Sequence, residues 1–344
     1  MNSLSKDAVS WVTVDDSAAG QRIDNFLCRV LKGVPKSHVY RILRSGEVRV
    51  NKGRAGPDRR LEIGDVVRVP PVRTAGRAGQ DTLARTRQPD ARPFRVPVLF
   101  EDDAFLALDK PAGLAVHGGS GIAYGLIEQL RAARPDARFL ELAHRLDRDT
   151  SGVLLVAKQR PALVALHAAL RDGGIDKRYQ VLVRGRWRDA ERRVRASLHK
   201  YSTADGERRV RVDDAGRASE TVFRRLATWT DRDPPLALLE AELMTGRTHQ
   251  IRVHLAHIGF ALAGDDKYGD FGWNKALHAQ GLRRMFLHAW KLRMAHPVDG
   301  TPMVLESPLP DDLAGFVGSL GVPGAATPAS VAKGPRAPRR TRDA

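Results

Sequence analysis

The chain has 344 residues, 57 Lys and Arg against 40 Asp and Glu for a formal net charge of +17, and a single cysteine, Cys28. That length is enough for two or three domains with a sizeable core, and a lone cysteine excludes an internal disulfide framework and any Cys-cluster zinc site. No uncharged apolar run approaches the ~18 residues of a spanning helix and Met1 to Asp16 lack a basic-then-apolar leader pattern, so a cytoplasmic protein with no membrane partner is expected.

Residues 1–19 read as an N-terminal extension. In residues 20–70, Arg22, Ile23, Phe26, Leu27, Val30 and Leu31 follow helical spacing, Gly33 breaks it, and Pro35 opens a second helix. That helix turns Val39, Ile42 and Leu43 inward and Lys36, Arg41 and Arg44 outward before Gly46 stops it. Short strands are expected at Glu47 to Asn51 and Asp65 to Val69. The unit holds 12 Lys and Arg against 5 acidic residues. A helix pair with short strands and an outward basic set, Lys36, Arg41, Arg44 and Arg49, suits a module that grips a nucleic-acid backbone.

Residues 71–95, rich in Pro, Gly, Arg, Thr and Gln, read as a basic linker, and residues 320–344 as a disordered basic tail. Between them, residues 96–319 carry a nearly balanced 33 basic against 29 acidic residues. Strands are expected at Phe105 to Leu108, Val153 to Ala157, Tyr179 to Val183, Ala218 to Phe223, Leu236 to Leu243 and Met285 to Ala289. Helices are expected at Gly125 to Ala133, Ala162 to Arg171 and Thr248 to Ile258. Strands outnumber helices and often follow one another across turns. The pattern implies an α+β fold, with a mixed, mainly antiparallel sheet in the large domain.

Three strings in that domain hold residues fit for chemistry. His144-Arg145-Leu146-Asp147-Arg148-Asp149-Thr150-Ser151-Gly152 abuts the apolar strand Val153 to Val156, which places several charged groups at a sheet end where they need partners or solvent. Taken alone, such a turn reads first as aspartates capping backbone amides. Gly246-Arg247-Thr248-His249-Gln250-Ile251-Arg252-Val253-His254 leaves a strand and enters a helix for which Thr248 is the expected N-cap. There Arg252 lies beside a buried stripe of Ile251, Leu255 and Ile258 and should seek a carboxylate. His249, His254 and His257 lack the spacing of metal ligands, so no metal is expected. Lys177-Arg178-Tyr179 opens a strand, where Tyr179 alone would read as a core aromatic. The glycine strings His117 to Gly121 and Gly264 to Gly269 fit no nucleotide-binding pattern, so no cofactor is implied.

Together these strings resemble the RluA family of pseudouridine synthases, among whose members an S-four RNA-binding domain precedes the catalytic domain. The similarity spans about residues 11–312, through Gln21 to Leu27, Gly46 to Asn51, Lys110-Pro111-Ala112-Gly113, His144 to Gly152, Lys177-Arg178-Tyr179 and Gly246 to His254. The resemblance implies a pseudouridine synthase fold behind an S-four-like domain and a monomeric enzyme without a small-molecule cofactor. It implies as substrate 23S (large-subunit) ribosomal RNA, isomerised at more than one uridine. It also implies that Asp147 is the catalytic aspartate, Tyr179 the active-site tyrosine, Arg252 the arginine paired with that aspartate, and Arg145 a contact near the flipped nucleotide. Asp109 departs from the family's usual asparagine before Lys110-Pro111.

The reaction implied moves the ribose bond of uracil from nitrogen to carbon without redox change, and asks for an ionised carboxylate in a dry pocket. Burial raises a carboxylate pKa and an opposite charge within ~4 to 6 Å lowers it, the role expected of Arg252. Attack by Asp147 on the sugar, attack on the base, and proton removal to give a glycal all stay open. Two other classes compete: a base-releasing RNA glycosidase using Asp147 with Asp149, and a non-catalytic ribosome-assembly factor with the same RNA grip.

Overall fold

The computed structural model describes residues 8–15, 18–31, 34–72, 94–118, 124–203 and 207–324. Most of the 71–95 stretch read as a linker, residues 119–121 of the first glycine string, and residues 325–344 of the tail lie outside the described residues.

The amino-terminal unit contains strand β1 (Ser10–Thr13), helices α1 (Ile23–Val30) and α2 (Lys36–Arg44), and strands β2 (Arg49–Val50), β3 (Gly53–Arg54) and β4 (Val66–Val69) in a sheet ordered β1-β4-β2-β3. Both helices fall where the apolar spacing puts them. Val39, Ile42 and Leu43 are buried with Ile23, Phe26, Leu27, Val48, Val50 and Val67 in one core. Strand β1 lies within the stretch read as an extension: it pairs antiparallel along all of β4, and Val14 joins the core. Four residues with one inward valine are too short a periodic signal to stand out in isolation.

The large unit is built on an 11-stranded sheet. Its strands are β5 (Val98–Glu101), β6 (Phe105–Lys110), β7 (Glu141–Leu142), β8 (Ser151–Ala157), β9 (Asp176–Arg184), β10 (Glu191–Ser202), β11 (Arg208–Val212), β12 (Arg217–Trp229), β13 (Leu236–Leu243), β14 (Leu287–Ala295) and β15 (Pro302–Glu306). The order is β11-β10-β12-β13-β9-β14-β8-β6-β5, with β15 added to β14 and β7 to β8. Every pairing is antiparallel except that of β14 with β8, which fits the expected mixed, mainly antiparallel α+β class. Helices α3 (Leu126–Ala133), α4 (Arg160–Asp172), α5 (Gln250–His257), α6 (Phe271–Ala279) and α7 (Asp311–Ser319) pack on this sheet. Strand β8 is buried on both faces along its whole length, so it reads as a continuous apolar run instead of an alternation.

Two local expectations are corrected. Thr248 is not the N-cap of α5; that position is His249, in the left-handed region at φ 53°. The turn closes through Gln250 instead, whose Oε1 accepts from Arg247 N (3.0 Å) and Thr245 Oγ1 (2.7 Å). Helix α5 also has no edge for Arg252 to occupy, because Gln250 through Leu255 are all buried. At the other end of the chain, residues 321–324 are anchored: Trp229 Nε1 donates to Gly321 O (2.9 Å) and Gly324 N to Thr228 O (2.8 Å).

Candidate active site

Asp147 sits in the turn between β7 and β8, and the surrounding string is consumed in building that turn. His144 Nε2 accepts from Leu155 N (3.1 Å). That bare ring nitrogen suits a histidine whose pKa burial pushes down to about 4. Leu146 is buried in the core, while Arg145 and Arg148 face solvent. Thr150 N donates to Asp147 O (3.2 Å) to close the turn. From below, the fully buried Lys110 donates to the carbonyls of Pro111 (2.8 Å), Arg148 (2.9 Å) and Thr150 (2.7 Å). Burial lowers the Lys110 pKa to about 8, against the opposing pull of Asp149 and Asp147. Gly152 ends the turn at φ 111°, where a Cβ would stand 2.2 Å from Ala289 O. Only glycine lets β8 approach β14 there.

Arg252 reaches this turn from α5. Its Nη1 donates to Asp147 Oδ2 (3.2 Å), but its two-pronged contact is with Asp265, Nε to Oδ2 (2.8 Å) and Nη2 to Oδ1 (2.6 Å). Asp265 is fully buried and also accepts from Lys267 N (2.8 Å) and Tyr268 N (3.1 Å). Burial opposes the charge on both partners. For Arg252, Asp265 and then Asp147 outweigh it and raise the pKa; for Asp265, Arg252 and the backbone amides outweigh it and hold the carboxyl below its ordinary value. The Tyr268 ring lies against the guanidinium, 5.1 Å from ring centre to Cζ.

Two rings complete the surroundings of Asp147. Tyr179, on β9, has alanine as its register partner on both sides, Ala241 of β13 and Ala289 of β14, which leaves room for a large side chain at that row. It is 8 % exposed, and burial, with the negative charge of Asp147 acting the same way, raises its pKa and keeps the phenol neutral. His249 Nε2 stands 3.7 Å from Asp147 Oδ2 and its Nδ1 is 2.8 Å from Tyr268 Oη. Tyr268 Oη itself accepts from Val210 N (2.9 Å), and we assign the phenol proton to the bond with Nδ1, which puts the imidazole proton on Nε2, facing Asp147. Burial, before any charge effect, lowers the His249 pKa. His249 is thus a non-glycine residue at positive φ beside Asp147, the kind of strained backbone that clusters at functional sites.

The structure therefore brings Asp147, Arg252 and Tyr179 together, with Arg145 exposed on the same turn. Lys36, Arg41, Arg44 and Arg49 are exposed on the amino-terminal unit, but Arg49 belongs to the sheet and not to the helix face that carries the other three. Asp265, His249 and Tyr268 were not among the expected site residues. Asp149 pairs with Arg148 (3.1 Å), its side chain 47 % exposed. Among the described residues no cluster of three or more His, Cys, Asp or Glu is arranged to hold a metal ion, and no helix is long and apolar enough to cross a membrane.

Comparison with known proteins agrees with this architecture. Residues 104–257 match the family model described as RNA pseudouridylate synthase, and residues 21–67 match the S4 domain. The chain is 49% identical over 313 residues to ribosomal large subunit pseudouridine synthase C of Pasteurella multocida, covering 91% of this chain and 94% of that protein. It is 51% identical over 308 residues to the protein of that name in Escherichia coli K12, covering 89% of this chain and 95% of the other. Among solved structures, human RNA pseudouridylate synthase domain containing 4 superposes with a TM-score of 0.54 at 24% identity, covering 70% of this chain and 96% of that one. Domain containing 1 gives 0.54 at 22%, covering 67% and 90%. These two likenesses bear on the fold alone.

Proposed function

Since this chain belongs to the RNA pseudouridine synthase family, we propose that it isomerises uridines of 23S (large-subunit) ribosomal RNA to pseudouridine, at more than one position, with Asp147 as the catalytic carboxylate. The observation that carries the assignment is the chain of contacts from Asp265 through Arg252 to Asp147, which fixes one carboxylate, its side chain 21 % exposed, beside a permanent positive charge. Arg252 and His249 both engage Oδ2, and Oδ1 is the oxygen we assign to substrate.

In the reaction the C1′–N1 bond breaks, the uracil turns, a C1′–C5 bond forms and the C5 proton is lost as N1 gains one. Atoms and electrons balance within the nucleotide, so the chemistry asks for no oxidant, reductant or cofactor. Tyr179 is assigned to stack against the base; its neutral phenol is a proton donor or acceptor of ordinary reach. The base must leave its stack at a cost of a few kcal/mol, least in unpaired RNA. Arg145 at the turn, with Lys36, Arg41, Arg44 and Arg49 of the S-four unit, offsets that cost through phosphate contacts. The protein acts as a cytoplasmic monomer in this reading. Asp149 is paired with Arg148 and its side chain is 47 % exposed, which counts against its serving as the second carboxylate of a glycosidase.

The test is incubation with large-subunit ribosomal RNA lacking pseudouridine, followed by mapping at nucleotide resolution. New pseudouridines at a small set of positions are expected. Release of free uracil would identify a glycosidase, and tight binding without product an assembly factor; either overturns the proposal.

A further inference from the structure

The short sheet of the S-four unit carries an unusual row on its outer face. Trp11 of β1 is the register partner of Arg68 on β4, Arg68 of Arg49 on β2, and Arg49 of Arg54 on β3. The four residues thus stand side by side across the whole sheet, a span of about 14 Å at the usual strand spacing. The adjacent row, Val12, Val67 and Val50, points the other way into the core. Trp11 is 53 % exposed despite being the largest side chain on its strand.

A ladder of like charges directly opposite one another is destabilising in a sheet, and here no carboxylate among the described residues relieves it. Among the described residues none of Arg49, Arg54 and Arg68 has a carboxylate in ion-pair reach. Their hydrogen bonds go to backbone oxygens, Arg68 Nη1 to Glu47 O (2.6 Å) and Arg49 Nη1 to Lys52 O (3.4 Å). Trp11, Arg49 and Arg68 line an open groove of about 470 Å³ with Ser45, Gly46, Glu47 and Lys52. The one carboxylate in it, Glu47, is already bonded by Ser45 Oγ (2.7 Å) and faced by Arg41 (3.7 Å). At Gly46, φ 75°, a Cβ would lie 2.7 Å from Arg54 Nε, so the glycine leaves room for that guanidinium over the groove.

A flat aromatic face at the end of a line of unneutralised guanidinium groups has the chemistry of a single-stranded nucleic-acid track, one base stacking on the ring while phosphates run along the cations. We propose that the outer face of this sheet binds a short unpaired segment of the substrate RNA, with a base on Trp11 and the backbone along Arg68, Arg49 and Arg54. The proposal rests on the RNA-modifying reading above. It adds the sheet row to the contact surface of α2: the row grips unpaired RNA, and Arg41, beside Glu47, stands where the helix set Lys36, Arg41 and Arg44 meets the groove.

The experiment measures binding of the full chain to a single-stranded uridine-rich oligoribonucleotide and to unmodified large-subunit ribosomal RNA across a salt series. The variants are Trp11→Ala, Trp11→Phe, Arg49→Thr/Arg54→Thr and Arg49→Lys/Arg54→Lys. Trp11→Ala should weaken oligonucleotide binding about fivefold to 150-fold, and Trp11→Phe much less, as loss and retention of one stacked base require. The threonine pair should lower the slope of log affinity against log salt by about 1.4, and the lysine pair should restore it. Because the threonines remove repulsion, their melting temperature should equal or exceed that of the parent, whereas arginines that merely support the fold would lower it. Affinities and salt slopes within twofold of the parent for both the alanine and the threonine variants overturn the proposal. Should the parent form no pseudouridine while these variants still lose RNA affinity in the stated pattern, the functional reading fails and the RNA track stands.

Discussion

Arg252 gives two hydrogen bonds to Asp265 and one to Asp147. The carboxylate that is sealed from solvent anchors the arginine, and the arginine presents its remaining N–H to the carboxylate that is not. Divided in this way, one guanidinium carries a structural and a chemical load that substitutions can separate.

Asp265→Asn should destabilise the protein by about 3–5 kcal/mol, because it strips a buried guanidinium of its neutralising partner. Urea unfolding at neutral pH checks this. The folded-state pKa of Asp265 is lowered from 3.8, so its contribution is complete above the unfolded value and is lost as pH falls through the folded one. The stability gap between parent and Asp265→Asn should therefore narrow as pH drops below about 4. A gap that is absent at pH 7, or widens in acid, refutes the anchoring role.

Arg252→Lys preserves charge and loses the planar fork, so one ammonium cannot hold both carboxylates in the same geometry. Single-turnover rate should fall at least about 100-fold, the usual cost of a misplaced reacting group, with RNA affinity nearly unchanged. Loss of affinity with normal turnover at saturating RNA would make Arg252 a phosphate contact instead.

Tyr268→Phe keeps the ring over Arg252 and deletes the hydroxyl that bonds His249 Nδ1 and Val210 N. Losing the bond that fixes the imidazole is worth about 1 kcal/mol. Turnover should drop roughly 3- to 10-fold with KM unchanged, and His249→Leu should drop it at least as far. Rates equal to the parent in both would show that His249 is a bystander near Asp147.

Neutralising Lys36, Arg41, Arg44 and Arg49 together to alanine should reduce the salt slope of ribosomal RNA binding by roughly 0.7 to 0.9 for each phosphate no longer neutralised, with a smaller effect on the rate at saturating RNA. An unchanged slope would return these charges to the role of a solvated surface.

The helices α1 and α2, the apolar run Val153 to Ala157 of β8 and the clustering of Asp147 with Arg252 and Tyr179 were legible in the sequence because each has a local signal: helical spacing, an unbroken apolar run, or a specific string. Asp265 was not. It stands in a glycine-rich string, Gly264 to Gly269, with no periodicity, and its partner Arg252 is brought to it by tertiary packing of α5. Strand β10 carried a readable clue, Val194, Ala196 and Leu198 alternating among basic residues, but its arginines make it look like a solvated segment. Helix α6 also had a signal, since Asp270 Oδ1 caps Trp273 N (2.9 Å). The N-cap assigned to Thr248 failed because the Gln250 side chain closes that turn in its place.

The role of Asp147 is tested most directly by pseudouridine formation in Asp147→Asn under single-turnover conditions, on unmodified large-subunit ribosomal RNA, beside its RNA affinity and its unfolding midpoint. The amide keeps the shape and removes the charge. Product should form at below about one-thousandth of the parent rate, with affinity within threefold and stability within about 1 kcal/mol, since Asp265 still holds Arg252. A rate within tenfold of the parent would contradict the assignment of Asp147 as the catalytic carboxylate.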